Sequence, residues 1–288
     1  DNRINRNCLR KLNKNIYKKE DEFFIRLYGG DMTLETYSFP EEKFVFSDEV
    51  DKIGEIEAED LYGAMKDLTP VVTAAVNPAE RRVICEKDKA FANYMWAIIM
   101  IKKSFDDFDL KVKDLSVLKS LTLDKKEEQI LVYKTKEDNK VVRCVLEGSD
   151  FKYAFLVSAV SVSESMKNNI SDVVKDSGVY VDFVQFYKMV QVASDLPYAI
   201  GKIGINYCDE GIDVNIMTKK GTDNRFTISG NKENEVEKLD EDLVVQAKLL
   251  RIILRSFASK SSIRLTVSED GLGILSDDYS AALYSESK

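Results

Sequence analysis

Two segments about 60 residues apart carry the same signals in the same order, and this internal repeat confines the chain to folds built by duplication. In the later copy, Leu243, Ala247, Leu250, Leu254 and Phe257 recur at three- and four-residue spacing, one face of a helix. Asp240 or Asp242 is placed to cap it. Ile263 to Val267 then alternates as a strand, Glu269-Asp270-Gly271 forms a turn, and Leu272 to Leu275 returns as a second strand. Ala281 to Tyr284 supplies another. In the earlier copy Asp182 caps a helix with Phe183, Phe186, Tyr187, Val190 and Ala193 inward, stopped by Pro197. Ile203 to Tyr207, the turn Asp209-Glu210-Gly211, Ile212 to Met217 and Arg225 to Ser229 follow. A helix start and an acidic-Gly turn that keep one offset form a far stronger signal than either alone.

Two fainter units precede these. Glu59 to Leu68 reads as a helix, with strands Arg82 to Glu86 and Phe91 to Ile101. Asp114 to Leu121 reads as a short helix with Leu115, Leu118 and Leu121 inward, followed by strands Gln129 to Lys134 and Lys140 to Leu146. The expected organisation is an N-terminal extension over 1–54, a domain over 55–160, a connector over 161–178 and a second domain over 179–288. The connector lies in the polar stretch Ser158 to Gly178. Within the extension, Asn7 to Ile16 reads as a helix, and Glu22 to Tyr28, Thr33 to Phe39 and Lys43 to Ser47 read as strands. The fold class is α+β, with helices on one face of antiparallel sheets.

Composition then removes whole classes of chemistry. The chain has no histidine, which excludes histidine bases, triads and metal sites. Cys8, Cys85, Cys144 and Cys208 are far apart and form no C-x-x-C motif, so they read as reduced thiols of an intracellular protein. The most apolar stretch, Ala90 to Ile101, falls short of the roughly 20 residues a bilayer span needs. No secretory signal is visible, and a soluble, cytoplasmic chain is expected. It begins at Asp1, compatible with a processed N-terminus. There is no G-x-x-x-x-G-K-[ST] and no G-x-G-x-x-G. Asp106, Asp107 and Asp109 are the one acidic group that invites a metal-dependent nuclease reading. Their phase along a strand favours a surface edge, so no metal, cofactor or catalytic residue is assigned.

The stretches FDDFDLKVKDLSVLKSLTL, VDFVQFYKMVQVASDLPYAIGKIGINYCDEGIDVNI and LLRIILRSFASKSSIRLTVSEDGLGIL carry a family resemblance. They resemble a strand leading into a helix, the helix and hairpin opening a second domain, and the closing unit of the DNA sliding clamps. That family includes proliferating cell nuclear antigen, and the pattern is closer to the clamps of T-even and related bacteriophages. The resemblance covers roughly residues 55 to 285. It implies two domains per chain and a homotrimeric ring whose helices line a pore around duplex DNA. It also implies an ATP-driven clamp loader, a tethered DNA polymerase and no catalysis. A phage-encoded clamp would work in the host cytoplasm.

The charge pattern suits that implication. Net charge is −8, which keeps DNA off an outer surface provided the pore helices are positive. Lys248, Arg251 and Arg255 lie opposite the apolar stripe of the last helix, and no acidic residue occurs from Leu243 to Val267. Lys260 extends the run, with Lys188, Lys113, Lys119 and Lys66 on or beside the other helices. The family docks partner peptides in an apolar pocket beneath the connector. By analogy this pocket involves Val160, Val162, Val173, Val174, Leu283 and Tyr284. The rival expectation is a clamp-fold accessory or structural viral protein that does not close a ring.

Overall fold

The computed structural model describes residues 13–19, 22–29, 32–37, 50–77, 80–86, 88–103, 105, 108–123, 125, 127–135, 142–157, 164–196, 199–219 and 224–285. The chain divides into two units, Asp1–Glu49 and Val50–Lys288. The smaller is an antiparallel meander of β1 (Asn13–Lys19), β2 (Glu22–Gly29) and β3 (Met32–Tyr37). The helix expected over Asn7 to Ile16 is thereby corrected, because Asn13 to Ile16 lies in β1. The pairing Ile16↔Ile25 shows that tertiary partners, not local spacing, decide this segment. The expected strand Lys43 to Ser47 lies outside the described residues.

In the larger unit, Asp182 caps the helix Phe183–Asp195 with Oδ1 accepting from the Gln185 amide at 2.8 Å. Phe183, Phe186, Val190 and Ala193 are buried. The strand Gly178–Asp182 precedes this helix, and the strands Ala199–Cys208, Gly211–Thr218 and Asn224–Glu233 follow it. The same order recurs at the C-terminal end, as the strand Leu243–Gln246, the helix Ala247–Leu254 and the strands Ser262–Val267, Gly271–Ser276 and Tyr279–Tyr284. The recurring turn glycines share one physical cause. A Cβ on Gly211 would lie 2.2 Å from the Ile228 carbonyl oxygen, and one on Gly271 would lie 2.2 Å from that of Leu283. In each copy the third strand closes directly over the start of the second.

The last helix starts later than its spacing predicts. Leu243 and Val245 are buried in alternation on a strand, and Gln246, not an aspartate, sits at the cap. Asp242 instead accepts from Asn206 Nδ2 at 3.3 Å and pairs with Arg225 at 3.4 Å. The spacing misled because Leu243 lies four residues before Ala247 and is buried against the same core.

The first two units repeat the plan. One is β4 (Val50–Glu57), α1 (Ala58–Ala74), β5 (Arg82–Glu86), β6 (Lys89–Tyr94) and β7 (Ala97–Lys102). The other is β8 (Phe108–Lys111), α2 (Val112–Thr122), β9 (Gln129–Thr135), β10 (Val142–Glu147) and β11 (Lys152–Val157). The single strand expected over Phe91 to Ile101 is two, broken at Met95, which takes a left-handed φ of 53°. Inside the expected connector lies α3 (Glu164–Val173). The elements named earlier follow as β12 (Gly178–Asp182), α4 (Phe183–Asp195), β13 (Ala199–Cys208), β14 (Gly211–Thr218), β15 (Asn224–Glu233), β16 (Leu243–Gln246), α5 (Ala247–Leu254), β17 (Ser262–Val267), β18 (Gly271–Ser276) and β19 (Tyr279–Tyr284).

Each repeat is therefore strand, helix and three strands, and the lead strands are exchanged. β4 pairs with β9 and β8 with β5, while β12 pairs with β17 and β16 with β13. Each repeat so completes a sheet of its neighbour, and neither of a pair buries its apolar face alone. The halves meet where β7 pairs with β19, Ile101 opposite Tyr279 and Ala97 opposite Leu283. This joint makes a twelve-stranded sheet, beside a four-stranded one ordered β11-β10-β9-β4.

Strand alternation separates two apolar layers. Val83, Ile99, Ala281 and Leu283 face the main core with Leu61, Leu118, Phe186 and Leu250 of α1, α2, α4 and α5. Ile84, Phe91, Ile98 and Ala282 face the other side, where Ile170 and Val173 of α3 cover them. The four repeat helices thus share one face of the sheets, and the connector helix takes the opposite one. Cys85 and Cys144 are buried thiols.

Candidate nucleic-acid interface

Lead strands fix where the helices begin, and helix pairing fixes which side chains remain outside. α1 packs on α2, and α4 packs on α5. Lys66 of α1, Lys188 of α4 and Lys248 of α5 are exposed, Lys119 of α2 is half-buried, and Arg255 is exposed just past α5. Lys113 belongs to α2, but its side chain lies outside the described residues. Lys66, Lys119, Lys188, Lys248 and Arg255 share the helical face of the sheets, apart from the apolar stripe.

Arg251 behaves differently from its sequence neighbours. Its Nη1 donates to Asp195 Oδ1 at 2.6 Å and to Ser194 Oγ at 2.9 Å, both on α4. Tyr187 of α4 lies against it. Burial alone would raise that phenol, but hydrogen bonds from Arg255 and Arg251 bring it below its ordinary value. The Arg251 guanidinium, held first by Tyr187 and then by Asp195, is raised further. Arg251 is thus a tie between two helices, with its charge already matched. Lys260 is also matched, 3.0 Å from Asp277 Oδ2 and 4.4 Å from the Tyr279 ring centroid. The basic run seemed free of acids because Asp195 and Asp277 come from other parts of the chain.

Of the six residues assigned to a partner pocket, the four that are described lie on both sides of the sheet. Val160 and Val162 lie outside the described residues. Val173 is fully buried on the α3 side of the sheet, and Leu283 is fully buried on the helical side. Val174 and Tyr284 pack at the margin of the α3 layer. Burial, with Asp172 and Asp270 nearby, pushes the Tyr284 phenol up to about 12. An exposed apolar pair stands where the sequence predicts one continuous strand. Met95 and Trp96 are 49% and 59% exposed at the β6–β7 turn, and the Trp96 carbonyl accepts from the Tyr284 amide at 2.9 Å. Beyond Val174 a cleft of about 470 Å³ opens between Lys175, Ser177, Tyr207, Val236, Leu239 and Val267, with Glu235, Glu237, Asp240 and Glu269 on its walls.

Among the described residues no cluster of three or more cysteine or acidic side chains is placed to hold a metal ion. Asp106 and Asp107 lie outside them. Among the same residues no helix is long and apolar enough to cross a membrane.

A duplicated strand-helix-three-strand unit, exchanged lead strands and four helices on one face define the α+β DNA-clamp fold. Solved structures carry the same architecture. The DNA polymerase sliding clamp of Pseudomonas aeruginosa matches over 96% of this chain and 77% of its own, at TM-score 0.66 and 10% identity. The DNA polymerase III beta subunit of Thermotoga maritima matches over 96% and 76%, at 0.67 and 13%. The beta-subunit clamp of Bartonella birtlesii, solved with griselimycin, matches over 98% and 79%, at 0.67 and 10%. No protein-family model and no curated sequence matches the chain. The likeness is one of fold.

Proposed function

We propose that this chain is a DNA polymerase processivity factor, a non-enzymatic sliding clamp that encircles duplex DNA without reading its sequence. The β7·β19 joint carries this reading. β7 closes the first repeat and β19 the fourth. The equivalent closing strands of the second and third repeats are β11 and β15. Among the described residues β11 pairs only with β10, and residues 224–229 pair only with β14. Open edges of this kind invite a further strand. β11 of one copy against β15 of the next repeats the internal joint, and such a head-to-tail contact propagates until the rotation closes it. Three copies, each with domains over 55–160 and 179–288 about the connector 161–178, form the ring, and residues 1–54 stand as an extension.

The four repeat helices then face the DNA. Lys66, Lys113, Lys119, Lys188, Lys248 and Arg255 meet phosphates loosely, while the acidic remainder keeps DNA from the outer surface. The polymerase and the clamp loader dock in the cleft beside Val174 and at the Trp96–Tyr284 edge. A phage origin, with action in the host cytoplasm, fits the resemblance to phage clamps.

The reading is tested by retention on DNA. Protein loaded on nicked circular DNA stays bound through a high-salt wash and leaves when the circle is cut once. Equal salt-sensitive loss from circular and linear DNA overturns the ring and favours a clamp-fold protein held by charge alone.

A further inference from the structure

Entering β17, the chain places Ser259, Lys260, Ser261, Ser262 and Arg264 close together. Ile263 and Leu265 are fully buried, so Ser262 and Arg264 lie on the face away from the core. Cross-strand register sets Tyr180 of β12 opposite Arg264 on one side and Leu275 of β18 on the other. With Ser276 and Asp277 these residues line an open cavity of about 600 Å³. That lies within the range of roughly 300–1,000 Å³ usual for small-molecule sites.

The walls of this cavity are rich in donors. The Lys260 side chain is 18% exposed and its ammonium leans on Asp277. Arg264 pairs with Glu233 and donates to the main-chain oxygens of Asp176 at 3.1 Å and Lys175 at 3.3 Å. Its Nε is buried with no acceptor. The hydroxyls of Ser262 and Ser276 donate to the carbonyls of Val181 and Ser262. Ser259 and Ser261 line the cavity with exposed side chains. The acceptor facing Lys260 is Asp277, 73% exposed at a hairpin turn with a left-handed φ of 46°. An exposed carboxylate resting on a mostly buried ammonium marks where a better oxyanion would sit. Tyr180, 41% exposed with Arg264 at 6.0 Å from its ring centroid, and Leu275 offer a flat apolar wall beside it.

We propose that this cavity binds a nucleotide phosphate. The phosphate takes Lys260, Ser259 and Ser261 in place of the Asp277 carboxylate, and the base lies against Tyr180. The site does not depend on the ring reading. It fits a free nucleotide and the 5′-phosphorylated end of a single strand alike.

Titration calorimetry of the full chain with adenosine monophosphate, adenosine and a short single strand with and without a 5′-phosphate tests it. Adenosine monophosphate binds at least tenfold more tightly than adenosine. Lys260→Gln lowers that affinity tenfold or more, Asp277→Asn raises it several-fold, and Lys219→Gln, at an exposed lysine after β14 and outside the cavity, leaves it unchanged, with thermal unfolding confirming that each variant is folded. A 5′-phosphorylated strand that outbinds the monophosphate assigns the site to strand ends, and the reverse assigns it to the free nucleotide. Equal binding of adenosine and its monophosphate, no binding of either, or a folded Lys260→Gln variant with unchanged affinity overturns the proposal.

Discussion

Lys248, Arg251 and Arg255 form one basic run in the sequence and occupy two physical situations in the fold. Lys248 and Arg255 are exposed, Arg255 with a hydrogen bond to the Tyr187 phenol, whereas Arg251 is held by the Asp195 carboxylate as well as by Tyr187. Reversal of Lys248 and Arg255 to Glu is expected to impair polymerase stimulation on DNA while shifting stability by only about 0.5 kcal/mol each. Arg251→Ala removes the tie between the two helices and the packing of its stem, and with Asp195 56% exposed it is expected to cost about 1 kcal/mol in denaturant unfolding. Equal stability losses at all three sites would contradict the distinction. Glu233 supplies a pH test. A hydrogen bond from Arg264 holds its carboxyl below the ordinary value of 4.5, with partial burial opposing. A lowered folded value means stabilisation that is complete above 4.5 and is lost as pH falls through the lowered value. Wild type should therefore melt above Glu233→Gln at neutral pH, and the difference should shrink as pH falls below 4.5 and vanish once it has passed the lowered value. A constant difference down to acid pH would exclude the pair as its source.

At the scale of elements, legibility followed local determinism. The helix after Asp182 could be read because its cap, stripe and end lie within one segment. The hairpins at Gly211 and Gly271 could be read because a turn glycine marks each. Gly271→Ala is expected to push the β19 backbone off β18 and cost roughly 2–3 kcal/mol, seen as early hydrogen exchange in β18, β19 and β7. Exchange unchanged in β7 would mean that the joint does not depend on that closure. The lead strands β4, β8 and β16 were harder to read, because their partners β9, β5 and β13 sit in other repeats. A four-residue strand such as Leu243–Gln246 has no period of its own to distinguish it from the first turn of a helix. The same limit hid the site. Asp195 and Asp277 neutralise cations that no sequence window contains together with them, and Trp96 stands on a turn that interrupts an apolar run only by the backbone angle of Met95. The pairing of N-terminal strands that read as a helix was likewise decided by β2, not by the segment itself.

The whole molecule follows from one unit used four times. Exchange of lead strands makes each pair of repeats inseparable, and the β7·β19 joint uses the closing strands of the first and fourth. Among the described residues the closing strand of the second, β11, is an edge, and β15 of the third is open along residues 224–229, while its residues 230–233 pair with β12. Under the proposed function a net charge of −8 is tolerable because Lys66, Lys188, Lys248 and Arg255 are exposed on the helical face. The central claim is that β11 and β15 of successive copies repeat the internal joint until a ring closes. Solution mass by sedimentation equilibrium tests it most directly. The account predicts a stable species of three chains, reduced to single chains when a proline is placed in β11. A single-chain mass at micromolar concentration for the unaltered protein would contradict it.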